Sequence, residues 1–461
     1  MRDCVPKGAL IKMVLFERTP TVSVTEKVTL DEPSPPASPT VSVDKIPDGG
    51  REAWCTALGS FLAQFCGFGY SFAFGVYQDY YSRRYLPHES PSAISWIGGV
   101  TAYLVSSIGL ICGPLHDRGY FYPVFISGAI LQCLSLFMLS LAQPGSYYQI
   151  FLAQGVGSGL AQGVMYVPSY AVLSQHFNRR RALVMSIVAA GAPLGGIVHT
   201  MMLNKLINGP IGFKTGVLIS AGFVTVLLFF SCLLMRTRYR LHPSVPPIGV
   251  WKASKKCICD VPFMLMVIGF LLYQTAFLYP FYYFQVDAIK HGLSLSFSFY
   301  SLVIVNAGNF CGRTSAGLLS PLIGVPDLAI LSTVACGVLL VGMVWLGSVA
   351  SFAVLGFLYG AFSGMNIAMM APFMALLTAN PSELGMRMGI SFFITGIKQI
   401  IEGPPISGAL LTDRYHWWAP VLFCSTVAFL GGLLFFVLRF MLVRRSKNPD
   451  QDTPQLTRVT C

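Results

Sequence analysis

Charged residues are scarce in this sequence. Only 11% of its 461 residues are Asp, Glu, Lys or Arg, whereas an ordinary soluble domain carries roughly 25%. So few charges cannot cover the surface of a water-soluble fold, and that class of protein is excluded. Apolar residues are abundant instead, at 54%, and they fall in blocks of about 20, the length that spans the hydrocarbon core of a bilayer.

The sequence also lacks the usual marks of metal sites and enzymes. None of its 12 cysteines forms a CxxC pair. No apolar block holds a nucleophile with a neighbouring base, or a cluster of His and Asp. We therefore expect neither an enzyme nor a metal or other cofactor. The net charge of +12 lies in loops and tails rather than on one folded face, which argues against nucleic acid as a partner.

The apolar blocks predict twelve membrane-spanning helices in two sets of six. The first set lies at 53–77, 92–112, 121–142, 147–171, 182–203 and 214–235, and the second at 261–284, 297–319, 326–347, 350–377, 387–411 and 418–441. The resulting domains are a disordered tail (1–45), a six-helix half (46–235), a polar linker (236–260), a second six-helix half (261–441) and a short tail (442–461).

Basic residues are distributed unevenly between the two sides of these spans. Most of the 31 Lys and Arg residues fall in the two tails, in the 4–5 loop and in the central linker, all on one side. Loops rich in Lys and Arg stay in the cytosol, so we expect both termini to be cytosolic. The protein is then a multi-pass protein of the plasma membrane, with the vacuole or another organelle as the alternative.

Two short motifs stand at helix ends on the predicted cytosolic side. DGGREAW (48–54) precedes the first span, where Asp48 favours a helix amino terminus and Trp54 an interfacial anchor. GPLHDRG (113–119) follows the second span as a loop, and glycines suit such a tight turn. A similar but weaker motif, GLLSP (317–321), follows the eighth span and indicates an internal repeat.

Two further stretches complete a family resemblance. HFNRRRAL (176–183) opens the fifth span, and GIKQIIEGPPISGALLTD (396–413) closes the eleventh with a helix-breaking Gly-Pro-Pro. Together with the two loop motifs, they resemble the major facilitator superfamily and, within it, the fungal branch of the monocarboxylate porter family. The resemblance implies an all-α major facilitator fold and transport of a small organic solute by alternating access. It also implies that Gly113, Asp117 and Arg118 form a conformational latch.

Ionisable residues at bilayer depth are costly and are candidates for function. Arg313 lies where the resembled family places an arginine that meets the substrate carboxylate, and a guanidinium matches that group. A structural arginine that binds a carbonyl or a lipid phosphate is the alternative. Lys398 and Glu402, one turn apart, form either a self-compensating pair or a pair that substrate or protons break. Asp287 is expected to be a solvated charge at the outer end of its span.

Uncharged polar and aromatic residues complete the predicted substrate site. Asn309, Tyr166 and Tyr282 are its candidate members, with helix packing as the alternative role for each. Animal relatives in the resembled family carry an Asp and a Lys that are tied to proton coupling, and here Asn309 and Val76 occupy those positions. Lactate is therefore not expected as a substrate, and protons stay open as partners. His199, alone in the fifth span, is expected to be a packed hydrogen-bond donor.

The function predicted from the sequence is that of a secondary transporter of a small organic solute, including an anionic one such as a monocarboxylate or larger organic acid. The first alternative is an efflux carrier for a fungal secondary metabolite, which would share the fold and reverse the direction. The second is a transport-dead membrane receptor. A receptor needs a long cytosolic domain, which neither the tails nor the 25 residues of the linker supply.

Overall fold

A computed structural model describes residues 48–238, 255, 257–378, 383–401 and 418–447. The predicted tail 1–45, most of the linker, the residues after 447 and the Gly-Pro-Pro motif lie outside these ranges. Long helices dominate the described part of the chain. They are α1 Arg51–Tyr85, α2 Ser92–Asp117, α3 Phe121–Ser140, α4 Tyr147–Gln175, α5 Arg181–Ile207, α6 Gly212–Leu234, α7 Val261–Lys290, α8 Leu295–Ile323, α9 Val325–Trp345, α10 Val349–Leu377, α11 Leu384–Ile401 and α12 Trp418–Lys447.

Ten of these helices are long and apolar enough to cross a membrane, counted over the described residues. The other two are α8 and α11. Helix α8 has the length but carries Asn306, Asn309 and Arg313 within it, and α11 ends at the boundary of a described range. The helices therefore follow the predicted spans one for one. The majority of their ends lie within a few residues of the predicted ends.

Serine side chains cap the amino termini of several helices. The Ser90 side chain accepts a hydrogen bond from Ala93 N at the start of α2, and Ser294 does the same for Phe297 N at α8. At α10, Ser348 and Ser351 form a reciprocal capping box. These side chains satisfy amide groups that a helix start leaves unpaired, which fixes where the spans begin.

Three helices of the first half are interrupted. The regular hydrogen bonding of α1 breaks at Gly67 and again at Ala73, that of α2 at Ile108, and that of α5 at Ala190. Backbone carbonyls released at such breaks need a partner inside the protein, because lipid offers none. The breaks therefore mark positions where other side chains can bind the backbone.

Glycine contacts bring helices of the second half close together. A Cβ added to Gly312 of α8 would lie 1.8 Å from the Ala361 carbonyl oxygen of α10, and Gly360 and Gly364 meet α8 equally closely. Small residues allow this approach where no hydrophobic effect drives helices together. Helices α7 and α9 pack on α12 in the same half, whereas α2 packs on α11 and α5 on α8 and α10 across the two halves.

The structure corrects several sequence expectations. The stretch 113–119 is not a loop throughout, because helix α2 continues to Asp117 and turns only at Arg118. Asp48 does not cap its own helix. Asp287 is not a solvated charge: it is buried and faces His291 across one helical turn, with 3.0 Å between Oδ1 and Nδ1. Helix α12 runs to Lys447, so the last helix takes up the first residues of the predicted tail.

Candidate functional site

Arg313 is the buried cation at the centre of the candidate site. Its side chain is 4% exposed, its Nε donates to Asn309 Oδ1 at 2.8 Å, and its Nη1 donates to the Ala189 carbonyl at 2.8 Å. Ala189 ends the first segment of α5, so this carbonyl is one that the break at Ala190 releases. The guanidinium therefore joins α8 of the second half to α5 of the first. The carbonyl partner that we expected for a structural arginine is present.

Asn309 holds the guanidinium from its own helix. While its carbonyl accepts from Arg313, its amide Nδ2 donates to Ser363 Oγ of α10 at 3.2 Å. Both polar ends of the amide are thus used, which fixes its orientation. Asn309 therefore contacts Arg313 as a neutral partner, and its predicted role in the substrate site stays a prediction.

Tyrosines of both halves lie near the guanidinium. Tyr166 and Tyr170 of α4 and Tyr273 of α7 all lie within electrostatic range of Arg313. The Tyr166 ring packs against Phe68 of α1 and Phe392 of α11, each with 4.7 Å between ring centroids. The predicted site residue Tyr166 therefore lies beside Arg313, in an aromatic cluster that spans the two halves.

A small cavity adjoins this cluster at the break in α1. Residues of α1 and α4 line it, among them Gly67 and Tyr166, and its volume is enough for about one water molecule. Gln64 donates to Ser169 Oγ at 2.7 Å and Ser71 donates to Gln162 Oε1 at 2.7 Å across the same pair of helices. The packing is closed around Arg313 in this conformation. The polar side chains of α1 and α4 lie on the first-half side of the closed packing.

The structure does not describe the side chains of three predicted site residues. The backbone of Tyr282 lies in α7 and that of Lys398 in α11, and Glu402 lies outside the described residues. The predicted pairing of Lys398 with Glu402 therefore stays a prediction. So does a substrate role for Tyr282.

The predicted latch residues meet the start of α11. Asp117 accepts hydrogen bonds from Gly385 N at 3.0 Å and Met386 N at 2.7 Å, and Gly113 packs directly on the Gly385 carbonyl. A carboxylate at a helix amino terminus satisfies free N–H groups and the helix dipole. Arg118 is exposed. Asp117 and Gly113 thus close the two halves on each other at this end of the bundle, called the Asp117 end below.

The sequence motifs did not reveal a second carboxylate contact at the same end. Asp48 Oδ1 accepts hydrogen bonds from Asn178 N and Arg179 N at 2.6 Å each and from Arg180 N at 3.4 Å, so it holds the turn that leads into α5 rather than the start of α1. Burial acts to raise the pKa of Asp48, but the three N–H donors and the charge of Arg179 outweigh it, and the pKa lies below its ordinary value of 3.8. Trp54 packs edge-on against Phe177 beside it.

A matching contact in the second half was also missed. Asp260, just before α7, pairs with Arg387 of α11 at 2.9 Å, and Arg387 also donates to the Leu377 carbonyl at 3.2 Å. In each half an acidic residue before the first helix thus holds the start of the fifth helix. The sequence does carry a signal for these two contacts, because Asp48 and Asp260 occupy equivalent positions before the first helix of each half. Within the described ranges, no group of three or more His, Cys, Asp or Glu side chains forms a metal site.

Comparison with known proteins places this geometry in context. The Major Facilitator Superfamily profile matches residues 56–351. The Aspyridones efflux protein apdF of Emericella nidulans is 34% identical over 404 residues, covering 87% of this chain and 80% of the relative. The Agnestins efflux protein AgnL12 of Paecilomyces divaricatus is 31% identical, covering 90% and 94%, and the Fujikurins efflux protein of Gibberella fujikuroi is 29% identical, covering 87% and 85%.

Proposed function

Because this chain belongs to the major facilitator superfamily, we propose that it exports an acidic organic metabolite by alternating access. It is a multi-pass membrane protein and a transporter of a small organic solute, and the predicted fold class is confirmed. It is not an enzyme, as expected. The efflux direction is the finer step, and it is supported by relatives whose names refer to efflux of aspyridones, fujikurins and agnestins.

The observation that carries the proposal is the environment of Arg313. The buried guanidinium binds an amide and a backbone carbonyl, and none of the hydrogen bonds described for it goes to a carboxylate. A guanidinium has five N–H donors and favours planar anions, so donors are left for a carboxylate or enolate of the solute. The aromatic faces of Tyr166 and Phe392 beside it suit a flat, largely apolar molecule.

Arg313 also offers a link between binding and movement. A solute anion competes with the Ala189 carbonyl for the guanidinium, and release of that carbonyl removes one contact between α5 and α8. A ligand shifts a conformational equilibrium only by binding the two states differently. Loading of the site would thus favour separation of the halves at the Asp117 end.

Two finer assignments belong to the same proposal. The motifs at 48–54 and 396–413 support membership of the monocarboxylate porter branch, whereas Asn309 speaks against proton-coupled lactate transport of the usual kind. The basic loops support a cytosolic Asp117 end and cytosolic termini, in the plasma membrane or the vacuole. Lys398, Glu402 and Tyr282 are proposed as further contacts of the solute.

Transport assays test the proposal directly. The purified protein would be reconstituted into liposomes, and its orientation would be determined from the accessibility of its loops to protease. Uptake of aspyridone, fujikurin and agnestin would then be measured beside lactate. We expect at least one acidic metabolite to enter vesicles in which the Asp117 end faces outward, and lactate not to enter.

Deletion of the gene in the native host identifies the solute independently, because the exported compound accumulates inside the cells. Uptake only in the opposite orientation would establish import and overturn export. The absence of flux for the compound that accumulates would favour the receptor reading.

A further inference from the structure

Polar side chains recur at every fourth position along α4, so they share one face of that helix. They are Gln154, Ser158, Gln162, Tyr166 and Tyr170. The first three are buried, which means that this face points into the protein rather than toward lipid. The two tyrosines lie within electrostatic range of Arg313. The row therefore leads from the guanidinium along α4, away from the Asp117 end.

Hydrogen bonds fix the orientation of Gln162 in this row. Its Oε1 accepts from Ser71 Oγ of α1 at 2.7 Å, and its Nε2 donates to Ser158 Oγ at 2.8 Å. Ser158 gives its own hydrogen to Gln132 Oε1 of α3 at 3.0 Å, so it accepts from Gln162. An amide nitrogen has two hydrogens, and the bonds described for this part of the chain use one of them. One N–H donor of Gln162 is therefore left for another partner.

Gln64 of α1 supplies the complementary acceptor. Its Nε2 donates to Ser169 Oγ at 2.7 Å, and Ser169 donates to the Tyr166 carbonyl at 2.7 Å, which fixes the orientation of the Gln64 amide. None of the hydrogen bonds described for Gln64 uses its Oε1. Gln64 and Gln162 both line the small cavity at the break in α1. This cavity is therefore bordered by one amide that has a donor to give and one that has an acceptor.

The size of the cavity matches a single hydroxyl group, because its volume is enough for about one water molecule. Gly67 leaves this space open, since a Cβ there would lie 3.9 Å from Gln162 Cγ. A hydroxyl group both donates and accepts, so it satisfies Gln64 and Gln162 together. A ring C–H in the same place would leave both amide groups without a partner, which costs free energy in a closed site.

We propose that Gln64 and Gln162, called the glutamine pair below, bind a hydroxyl group of the exported solute at a distance from the acid group that Arg313 holds. The inference rests on the proposed function and narrows its substrate class to flat organic acids that carry a remote hydroxyl. Gln162 lies one helical turn from Tyr166 and two from Tyr170. At 1.5 Å per residue, this spacing puts the hydroxyl about 6–12 Å from the carboxylate.

Three small aromatic acids test the preferred spacing. Cinnamate has no hydroxyl, para-coumarate has one at the far end of its ring, and ortho-coumarate has one beside the acid chain. Binding of each to the purified full-length protein in detergent would be measured by equilibrium dialysis. Wild type should bind para-coumarate about tenfold more tightly than cinnamate, the effect of one net hydrogen bond. Ortho-coumarate should bind like cinnamate, because its hydroxyl does not reach the cavity.

Methionine variants assign this preference to the glutamine pair. Gln162→Met and Gln64→Met keep the length of the side chain but remove its hydrogen bonds, so each should bring the two affinities close to equality. Gln154→Met is the matched control. Gln154 is also a buried glutamine of α4 that accepts from a hydroxyl of α1, from Tyr81 at 2.6 Å, but it does not line the cavity. Its variant should keep the full preference for para-coumarate.

The ratio of the two affinities distinguishes recognition from packing. A network that only joins helices lowers the melting temperature and changes the affinities for all three acids together, whereas the glutamine pair changes their ratio. Gln64→Met decides the question if Gln162→Met does not fold. Equal affinities in wild type, a preference that survives in the folded Gln162 and Gln64 variants, or its loss in Gln154→Met would overturn the glutamine pair.

The same measurements separate this inference from the proposed function. Wild type that binds cinnamate and para-coumarate equally, with weaker binding of both in Arg313→Lys, would overturn the glutamine pair and leave the anion site standing. A preference that depends on Gln162, in a protein that exports none of the tested metabolites, would support the pair and count against export. Failure of wild type to bind any of the three acids would count against both.

Discussion

Arg313 shows how a single residue can serve packing and binding together. Its partners, Asn309 Oδ1 and the Ala189 carbonyl, are neutral, so they hold the guanidinium in place without cancelling its charge. A carboxylate at the position of Asn309 would form a buried ion pair instead. The choice of an amide there keeps the site electropositive, which agrees with an anionic solute.

The first prediction follows from this amide. Asn309→Asp keeps the shape of the side chain and adds a charge in contact with Arg313 Nε. We expect the affinity for the exported anion to fall by about tenfold, the equivalent of about 1.4 kcal/mol, because the solute must compete with a resident carboxylate. Equilibrium binding to the detergent-solubilised protein measures this loss.

A matched substitution one turn earlier is the control. Asn306→Asp adds the same charge to α8, but Asn306 donates to the Leu302 carbonyl and makes no recorded bond to Arg313. Its effect on affinity should be smaller. Equal losses in the two variants would mean that helix charge in general, rather than the pairing with Arg313, sets the affinity.

At the scale of helices, each half holds its fifth helix in a similar way. Asp48, from the segment before α1, binds the turn that leads into α5, and Asp260, from the segment before α7, binds Arg387 of α11. The chemistry differs, since one contact is to backbone amides and the other is an ion pair. The common position supports the internal repeat expected from the two loop motifs.

The second prediction concerns the carboxylate that holds the turn before α5. Asp48→Ala removes an acceptor of three amide hydrogens, and loss of such hydrogen bonds costs about 1 kcal/mol. The melting temperature in detergent should fall, whereas Asp48→Asn, which retains an acceptor oxygen, should lose less. No difference between the alanine variant and wild type would contradict a stabilising role of Asp48.

The same carboxyl group predicts a dependence on pH. Its pKa is lower in the folded protein than its ordinary value of 3.8, so its stabilising effect is complete above that value and is lost as the pH falls through the folded pKa. Melting curves of wild type between pH 6 and 3 should therefore lose more stability than those of Asp48→Asn. Parallel loss in the two proteins would assign the acid sensitivity to other groups.

The third prediction uses two glycines that differ in what they touch. A Cβ on Gly113 would lie 2.1 Å from the Gly385 carbonyl of the other half, whereas one on Gly312 would lie 1.8 Å from the Ala361 carbonyl of its own half. Gly113→Ala should therefore spare the fold and disfavour closure at the Asp117 end. Gly312→Ala should lower stability by about 1–3 kcal/mol, the usual cost of overpacking.

Melting temperature and the distance between two spin labels distinguish these outcomes. The labels would replace the exposed residues Tyr120, after α2, and Leu322, near the end of α8. The Gly113 variant should melt near wild type with a longer distance, and the Gly312 variant should melt lower. A Gly113 variant that melts lower but shows no change in distance while folded would mean that this glycine serves the stability of the fold rather than the closure.

For the whole molecule, the contacts between halves define what has to move. Helix α11 lies against α2, and α5 lies against α8 and α10, whereas the remaining strong contacts hold each set of six together. Alternating access requires the first group of contacts to open while the second persists. The two six-helix halves are proposed as the moving bodies on this basis.

Cross-linking provides the fourth prediction. A Cβ on Gly317 of α8 would lie 2.9 Å from Ser186 Cβ of α5, across the halves, and one on Gly432 of α12 would lie 3.9 Å from Thr333 Cβ of α9, within one half. Disulfides join Cβ atoms about 3.5–4.5 Å apart, so both sites are close enough for a bridge after a small adjustment. Oxidised Ser186→Cys/Gly317→Cys should lose transport and regain it on reduction.

The within-half pair is the control. Oxidised Thr333→Cys/Gly432→Cys should keep most of its transport, because α9 and α12 move together. Arrest by both bridges, or by neither, would contradict movement of two rigid halves.

Much of the architecture follows from the sequence by itself. Apolar blocks of membrane-spanning length predicted all twelve described helices, because in lipid each segment must satisfy its own backbone hydrogen bonds. The cost of burying a charge was enough to single out Arg313 before its surroundings were known. These properties are local, so they can be read from one stretch of chain at a time.

The partners of the polar residues were decided only by tertiary structure. Arg313 meets Ala189, which is 124 positions away, and Asp48 binds a turn that begins 130 positions away. Helical periodicity describes the faces of one helix but not which helix packs against it or where a neighbouring backbone breaks. The sequence therefore determined a twelve-helix transporter with a buried cation, and packing alone decided which groups that cation and the acidic residues bind.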